Sequence, residues 1–232
     1  MRGLPDLCLI AALVCAGPAT AGCRLALALA VDVSRSVDAA DYVIQTEGLA
    51  DALMDPAVQA AFFGPAGDVA VTVYEWSGRA HQEVVTDWMI MRTPEDLARL
   101  ADRVRHHPRL PVSLPTALGE ALRFGLKQFD TAPTCQRRVL DVAGDGRNNE
   151  GLAPGRVYAK ADFGDLVVNG LAIGEHEHDI AAYYRAEVIR GAEAFVELAP
   201  TQADYPRAMR RKLIRELSDE IASGGGQDGG KT

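Results

Sequence analysis

The sequence predicts an α/β fold: a doubly wound, mostly parallel sheet with one antiparallel edge strand and helices on both faces. Three observations carry this. Leu25–Val33 is a near-continuous apolar run, as a parallel strand buried on both faces requires, and Arg138–Ala143, Leu166–Ile173 and Ala194–Leu198 read as further strands of the same kind. Segments with helical signals lie between them, so the chain alternates strand and helix. Asp68–Trp76 and His81–Met91 are strand-like and meet across Ser77–Gly78, a hairpin that adds one antiparallel strand at an edge.

The helices follow from local chemistry. Asp38 is an N-cap for a helix over Ala39–Ala61, which Pro56 can break. Thr93-Pro94-Glu95-Asp96 combines a capping Thr, a first-turn Pro and early acids, and starts a helix that runs to about His106. Pro108, Pro111 and Pro115 mark a loop, after which Thr116–Phe129 is amphipathic. Two more helices are expected over Asp179–Arg190 and Tyr205–Ala222. The Gly-rich stretch 223–232 is expected to be a disordered tail. It matches the phosphate-binding loop pattern, but without the strand before and the helix after that the mechanism needs.

With 232 residues, 48% hydrophobic and 24% charged, the chain is ordinary globular material for one sizeable domain, expected over residues 22–222. A net charge of −8 gives no basic footprint for nucleic acid. Residues 1–21 read as a signal peptide: a positive start at Arg2, an apolar run over Leu7–Ala16, and the small-x-small pattern Ala19-Thr20-Ala21. No stretch approaches the ~18 apolar residues of a transmembrane span. The expected location is exported, periplasmic or secreted. Thr20-Ala21-Gly22-Cys23 also resembles a lipoprotein cleavage box, which would place a lipid on Cys23. Removal of the leader leaves Cys23 and Cys135, a disulfide candidate in an oxidising compartment.

In open parallel sheets, ligands bind at the carboxyl ends of the strands. Two strands end there in an acid followed by small polar residues: Asp32-Val33-Ser34-Arg35-Ser36 and Gly144-Asp145-Gly146. A third contribution comes from the Pro-bounded loop, which delivers Thr116 at the start of a helix. Asp32, Ser34, Ser36, Thr116 and Asp145 are hard oxygen donors suited to Mg²⁺ or Mn²⁺. Each piece alone has a blander account, with Ser34 and Ser36 as helix caps and Asp145 as a turn residue. The combination at these strand ends favours the metal.

This constellation resembles the metal-ion-dependent adhesion site of von Willebrand factor A-like domains. Asp32–Asp38, Val142–Asn149, Asn169–Ile173, Tyr183-Tyr184 and Arg211–Glu216 look like a secreted bacterial subfamily of uncharacterised function, over residues 24–220. Arg35 stands where that family usually has Gly. The resemblance implies the Rossmann-like von Willebrand factor A fold and a metal held by Asp32, Ser34, Ser36, Thr116 and Asp145, with one position open. It also implies a protein partner whose Asp or Glu completes the shell, an outcome of adhesion or assembly rather than catalysis. Arg35, Asn148, His176 and His178 are the candidate rim. The resemblance further implies that the strands carrying Asp32 and Asp145 are neighbours. Cys23 lies nine residues before Asp32 and Cys135 ten before Asp145, so on that basis the two cysteines come level and a disulfide is expected.

An enzyme of the haloacid dehalogenase-like phosphatase class is the alternative, with Asp32 as nucleophile. It would need a second Asp two residues on, where this chain has Ser34. Glu175-His176-Glu177-His178-Asp179 is weighed as a soft-metal cluster against a solvated loop. Trp76, Trp88, Tyr183 and Tyr184 read as packing residues.

Overall fold

The computed structural model describes residues 22–109 and 113–218; the expected signal peptide and Gly-rich tail lie outside the described residues. Six strands form one sheet: β1 (Cys23–Asp32), β2 (Asp68–Trp76), β3 (Gln82–Met91), β4 (Cys135–Gly144), β5 (Val167–Ile173) and β6 (Val196–Ala199). Their order is β3-β2-β1-β4-β5-β6, and every neighbouring pair is parallel except β2–β3. The antiparallel hairpin therefore sits at one edge, as the sequence predicts.

The central strand explains its own composition. Leu25, Leu27, Leu29 and Val31 of β1 face one side of the sheet and Ala26, Ala28 and Ala30 the other, all buried. The leucines pack against α1 (Ala39–Met54), α3 (Pro94–Arg105) and α7 (Tyr205–Ser218) through Leu49, Leu53, Leu97, Leu100, Met209 and Leu213. The alanines lie beneath α4 (Leu118–Gln128), with Leu118, Leu122, Tyr74 and Trp76 filling that layer. Burying each such Leu contributes about 1.5–3 kcal/mol, so both layers hold the sheet between them.

The helix starts are local. Asp38 accepts from Ala40 and Asp41 N–H groups at 2.7 and 3.0 Å and forms a capping box with Asp41. Pro56 does break the first helix: Asp55 caps a separate α2 (Pro56–Phe63) with Pro in its first turn. Two segments differ from the sequence reading. Pro154–Tyr158 forms a short helix, α5, in a stretch to which the sequence reading assigns no element. The helix expected over 179–190 is instead α6 (Ile180–Tyr183) followed by a π-helical turn over Tyr184–Val188. Beyond it, Arg190 exchanges backbone hydrogen bonds with Val168 at 2.8 and 3.0 Å, so this backbone is drawn into a bridge to β5.

At the amino ends of β1 and β4, Cys23 and Cys135 are register partners joined by a disulfide, with Cα atoms 4.5 Å apart and a sequence separation of 112. A cross-link closing so long a loop stabilises by about 2–4 kcal/mol. The bond uses the Cys23 thiol, which in this form is not available to carry a lipid. Among the described residues, no helix is long and apolar enough to cross a membrane.

Candidate metal centre

The carboxyl ends of β1 and β4 lie side by side, with Val31 opposite Ala143 in register. Asp32 ends β1, and Asp145 follows the last residue of β4. Asp32 Oδ1 accepts from the Ser34 N–H at 2.7 Å, which turns the chain sharply off the sheet. That turn folds both serines back over the strand ends. Ser36 Oγ donates to Asp145 Oδ1 at 2.6 Å, Ser34 and Ser36 hydroxyls are 3.3 Å apart, and Thr116 Oγ1 donates to Ser34 Oγ at 3.3 Å. All five side chains named from the sequence are therefore brought together. Asp32, Ser34, Asp145 and Thr116 are buried and Ser36 is half-buried. The two serines do not cap α1, because Asp38 does.

Thr116 comes from a loop two residues before α4, not from the helix start. Three neighbours hold that loop. Asn149 Oδ1 accepts from Thr116 N at 2.8 Å and Asn149 N donates to Thr116 O at 2.9 Å. Arg35 N donates to Leu114 O, and Ala117 N to Ser77 O, each at 2.8 Å. The N-cap of α4 is Ala117, which has no capping side chain; Asn148 Oδ1 instead accepts from Gly119 N at 3.0 Å. Asn148, expected at the rim, thus tethers α4, and Asn149 clamps the donor loop.

Burial and mutual repulsion disfavour two charged carboxylates here. Burial, then the Asp145 charge, pushes Asp32 up to about 8, and burial also raises Asp145. Asp32 Oδ2 and Asp145 Oδ2 are buried without hydrogen-bond partners. Two dry carboxylates with unspent lone pairs, beside three hydroxyls, fit a hard divalent ion such as Mg²⁺ or Mn²⁺. His176 Nε2 stands 4.0 Å from Asp145 Oδ2. Arg35 is exposed and lines a cleft of about 470 Å³ with Ser36, Pro115, Thr116 and Asn149.

The soft-metal reading of residues 175–179 fails on geometry. Arg147 pairs with Glu177 at 2.7 Å and with Asp179 at 2.5 Å, while Glu175 accepts from Gln202 N at 2.9 Å. His178 is exposed, and among the described residues no three His, Cys, Asp or Glu side chains converge on a metal position. Adjacent residues in a loop point in different directions, so alternation in sequence does not produce convergence in space.

Behind the donor loop, Tyr42 donates to Glu75 Oε1 at 2.6 Å, and His107 Nε2 lies 3.8 Å from both Glu75 Oε2 and Glu83 Oε1. Burial, reinforced by Glu83 and opposed by the Tyr42 hydrogen bond, pushes Glu75 from 4.5 to about 7. A carboxyl whose folded value is raised binds its proton more tightly in the native state. Its contribution is full below pH 4.5 and is lost as pH rises through about 7. Glu75→Gln should therefore flatten the fall in urea-unfolding free energy across that window, and an unchanged slope would contradict the assignment.

Residues 22–221 match the model of a family described as "Protein of unknown function (DUF1194)". The chain belongs to this family. No curated protein matches it. Solved structures place the fold. A von Willebrand factor type A protein from Catenulispora acidiphila superposes with a TM-score of 0.58 at 17% identity, covering 84% of this chain and 43% of that one. Proximal thread matrix protein 1 from the mussel byssus, with a zinc-occupied MIDAS motif, gives 0.57 at 14% identity, covering 84% and 46%. A mutant of the PilB minor pilin from Streptococcus sanguinis gives 0.62 at 12% identity, covering 90% and 65%. The chain spans less than half of the mussel and Catenulispora proteins. At these identities the likeness is one of fold, and that fold is the von Willebrand factor A domain.

Proposed function

We propose that this chain is an exported, divalent-metal-dependent protein-binding module. Asp32, Ser34, Ser36, Thr116 and Asp145 hold Mg²⁺ or Mn²⁺, and an Asp or Glu of a protein partner completes the shell. The observation that carries this reading is the convergence of three hydroxyls on two buried carboxylates that each keep an unpartnered oxygen. The zinc-occupied motif of the mussel protein, on the same fold, supports it. When bound, the ion supplies a concentrated positive charge that draws a carboxylate strongly and directionally. The chain's own residues do the rest. Asp32 and Asp145 neutralise the ion from below, the serines fix their orientation, and the Asn149-clamped loop sets Thr116. Arg35 stands free on the cleft beside them, where it attracts an acidic segment.

The disulfide supports a working place outside the reducing cytosol, periplasmic or secreted. With it goes the division into a signal peptide over residues 1–21, a domain over 22–222 and a tail over 223–232. The phosphatase alternative lacks its second Asp. Ser34 holds that position, and its hydroxyl is engaged with Ser36 and Thr116. We read the site as one for binding rather than turnover.

The test is calorimetric: Mg²⁺ titrated into the protein, then a short Glu-bearing peptide titrated into Mg²⁺-loaded and EDTA-treated samples. Peptide heat should appear only with metal. Thr116→Ala should weaken the peptide by about tenfold while weakening Mg²⁺ less, in the range that loss of a supporting group costs a metal site. Equal peptide binding in EDTA would overturn the reading.

A further inference from the structure

The Tyr183-Tyr184 motif reads in the sequence as packing, and Tyr183 fits that reading. Its ring lies under the Arg147 guanidinium at 5.0 Å, and its hydroxyl accepts from Asn148 N at 3.2 Å. Tyr184 does not fit it as well. It opens the π-helical turn and is fully buried, yet its hydroxyl has no hydrogen-bond partner. Single π turns re-aim one side chain relative to a regular helix and are frequent at functional sites.

The place that Tyr184 reaches is the floor of the metal centre. A Cβ added at Gly144 would stand 2.5 Å from the Tyr184 oxygen, 2.9 Å from Asp32 Oδ2 and 3.1 Å from Trp76 Cζ2. The missing side chain at the end of β4 therefore leaves one small space bordered by these three residues. Tyr184 OH, Trp76 Nε1 and Asp32 Oδ2 are all buried and all lack partners. Two are donors and one is an acceptor. The other Asp32 oxygen is taken by Ser34 N.

We infer that Tyr184 is a positioning residue of this centre, whose phenol O–H, set across the Gly144 space from Asp32 Oδ2, closes onto that oxygen when the cation binds and fixes the carboxylate in the orientation that receives it. The inference rests on the metal reading proposed above. Outer partners of metal-binding carboxylates act in this way, by orienting the ligand and tuning its basicity. Gly144 is what allows the approach, since any side chain there would separate the two oxygens.

Tyr184→Phe keeps the ring and removes only the donor. It should weaken Mg²⁺ by about tenfold in calorimetry. Melting of the metal-free protein should be unchanged, and the Mg²⁺-induced rise in melting temperature should shrink. A ring that merely fills space would leave the Mg²⁺ affinity of the folded variant unchanged, and that result would overturn the inference. A second measurement does not need the variant: fluorotyrosine placed at position 184 keeps the hydroxyl, and its fluorine resonance should shift when Mg²⁺ is added. A resonance indifferent to Mg²⁺ in a protein that binds Mg²⁺ would also overturn it. Failure of the wild-type protein to bind Mg²⁺ at all would instead remove the metal reading, so the two failures are distinguishable.

Discussion

Changing Asp32 and Asp145 together to alanine should abolish Mg²⁺ and Mn²⁺ binding while leaving the circular dichroism spectrum nearly unchanged. Both carboxylates sit above the core, at the carboxyl ends of strands whose ladders continue below them. Hydroxyls alone are weak ligands for a hard divalent ion, so Ser34, Ser36 and Thr116 cannot compensate. The double variant should also be at least as stable as the metal-free parent. Burial makes the two charges unfavourable together, as the raised values of Asp32 and Asp145 record. Added metal separates the two proteins. The parent should gain about 2.7 kcal/mol at a hundredfold excess over its dissociation constant, and the variant nothing. Thermal melts with and without Mg²⁺ read this directly. An equal shift in both would place the ion elsewhere and sink the assignment of these five residues.

The convergence of the candidate ligands was legible because their chemistry is concentrated in short motifs at strand ends. Asp32-Val33-Ser34-Arg35-Ser36 carries three donors within five residues, and the Asx turn that folds them inward is a local event. The fold was legible for a similar reason: β1 is apolar on every residue from Leu25 to Val31 because both of its faces are covered. What escaped depends on contacts distant in sequence. The helix through Tyr184 gives way to a π turn, and the Arg190 backbone beyond it bonds Val168, which no local propensity reports. Tyr184 itself looks like any core aromatic until its hydroxyl is placed beside Gly144. Asn148 and Asn149 read as turn formers, and their support of Thr116 and α4 appears only when the two loops meet. Lys212 and Glu216 belonged to a recognisable motif, but charged residues four apart on a helix read by default as a solvated pair.

In the structure that pair is sealed, and breaking it should have the largest effect on stability. Lys212 Nζ donates to Glu216 Oε1 at 2.8 Å and lies 3.1 Å from Asp141 Oδ1, with all three residues at most 1% exposed. Asn169 Nδ2 donates to both Glu216 oxygens at 2.9 and 3.0 Å, and Asn169 Oδ1 accepts from Phe195 N at 2.8 Å. The network therefore ties α7 to β4 and β5 and fixes the segment entering β6. Burial pushes Asp141 up to about 7 and Glu216 adds to the rise, while Lys212 opposes it. Lys212 is in turn held above its ordinary value by the two carboxylates, against the effect of burial. Lys212→Ala would leave two buried carboxylates without their cation, a defect that costs about 3–5 kcal/mol. Against a total of about 5–15 kcal/mol for a domain, this variant should unfold at much lower urea or fail to accumulate. Adding Asp141→Asn and Glu216→Gln to Lys212→Met removes the uncompensated charges and should recover much of the loss, since replacing a whole buried ionic group is often close to neutral. Recovery in the triple variant, read as the urea midpoint at constant slope, would separate an electrostatic defect from lost packing around α7. A single Lys212→Ala variant that loses less than about 1 kcal/mol would show that the charges are not sealed as their burial implies.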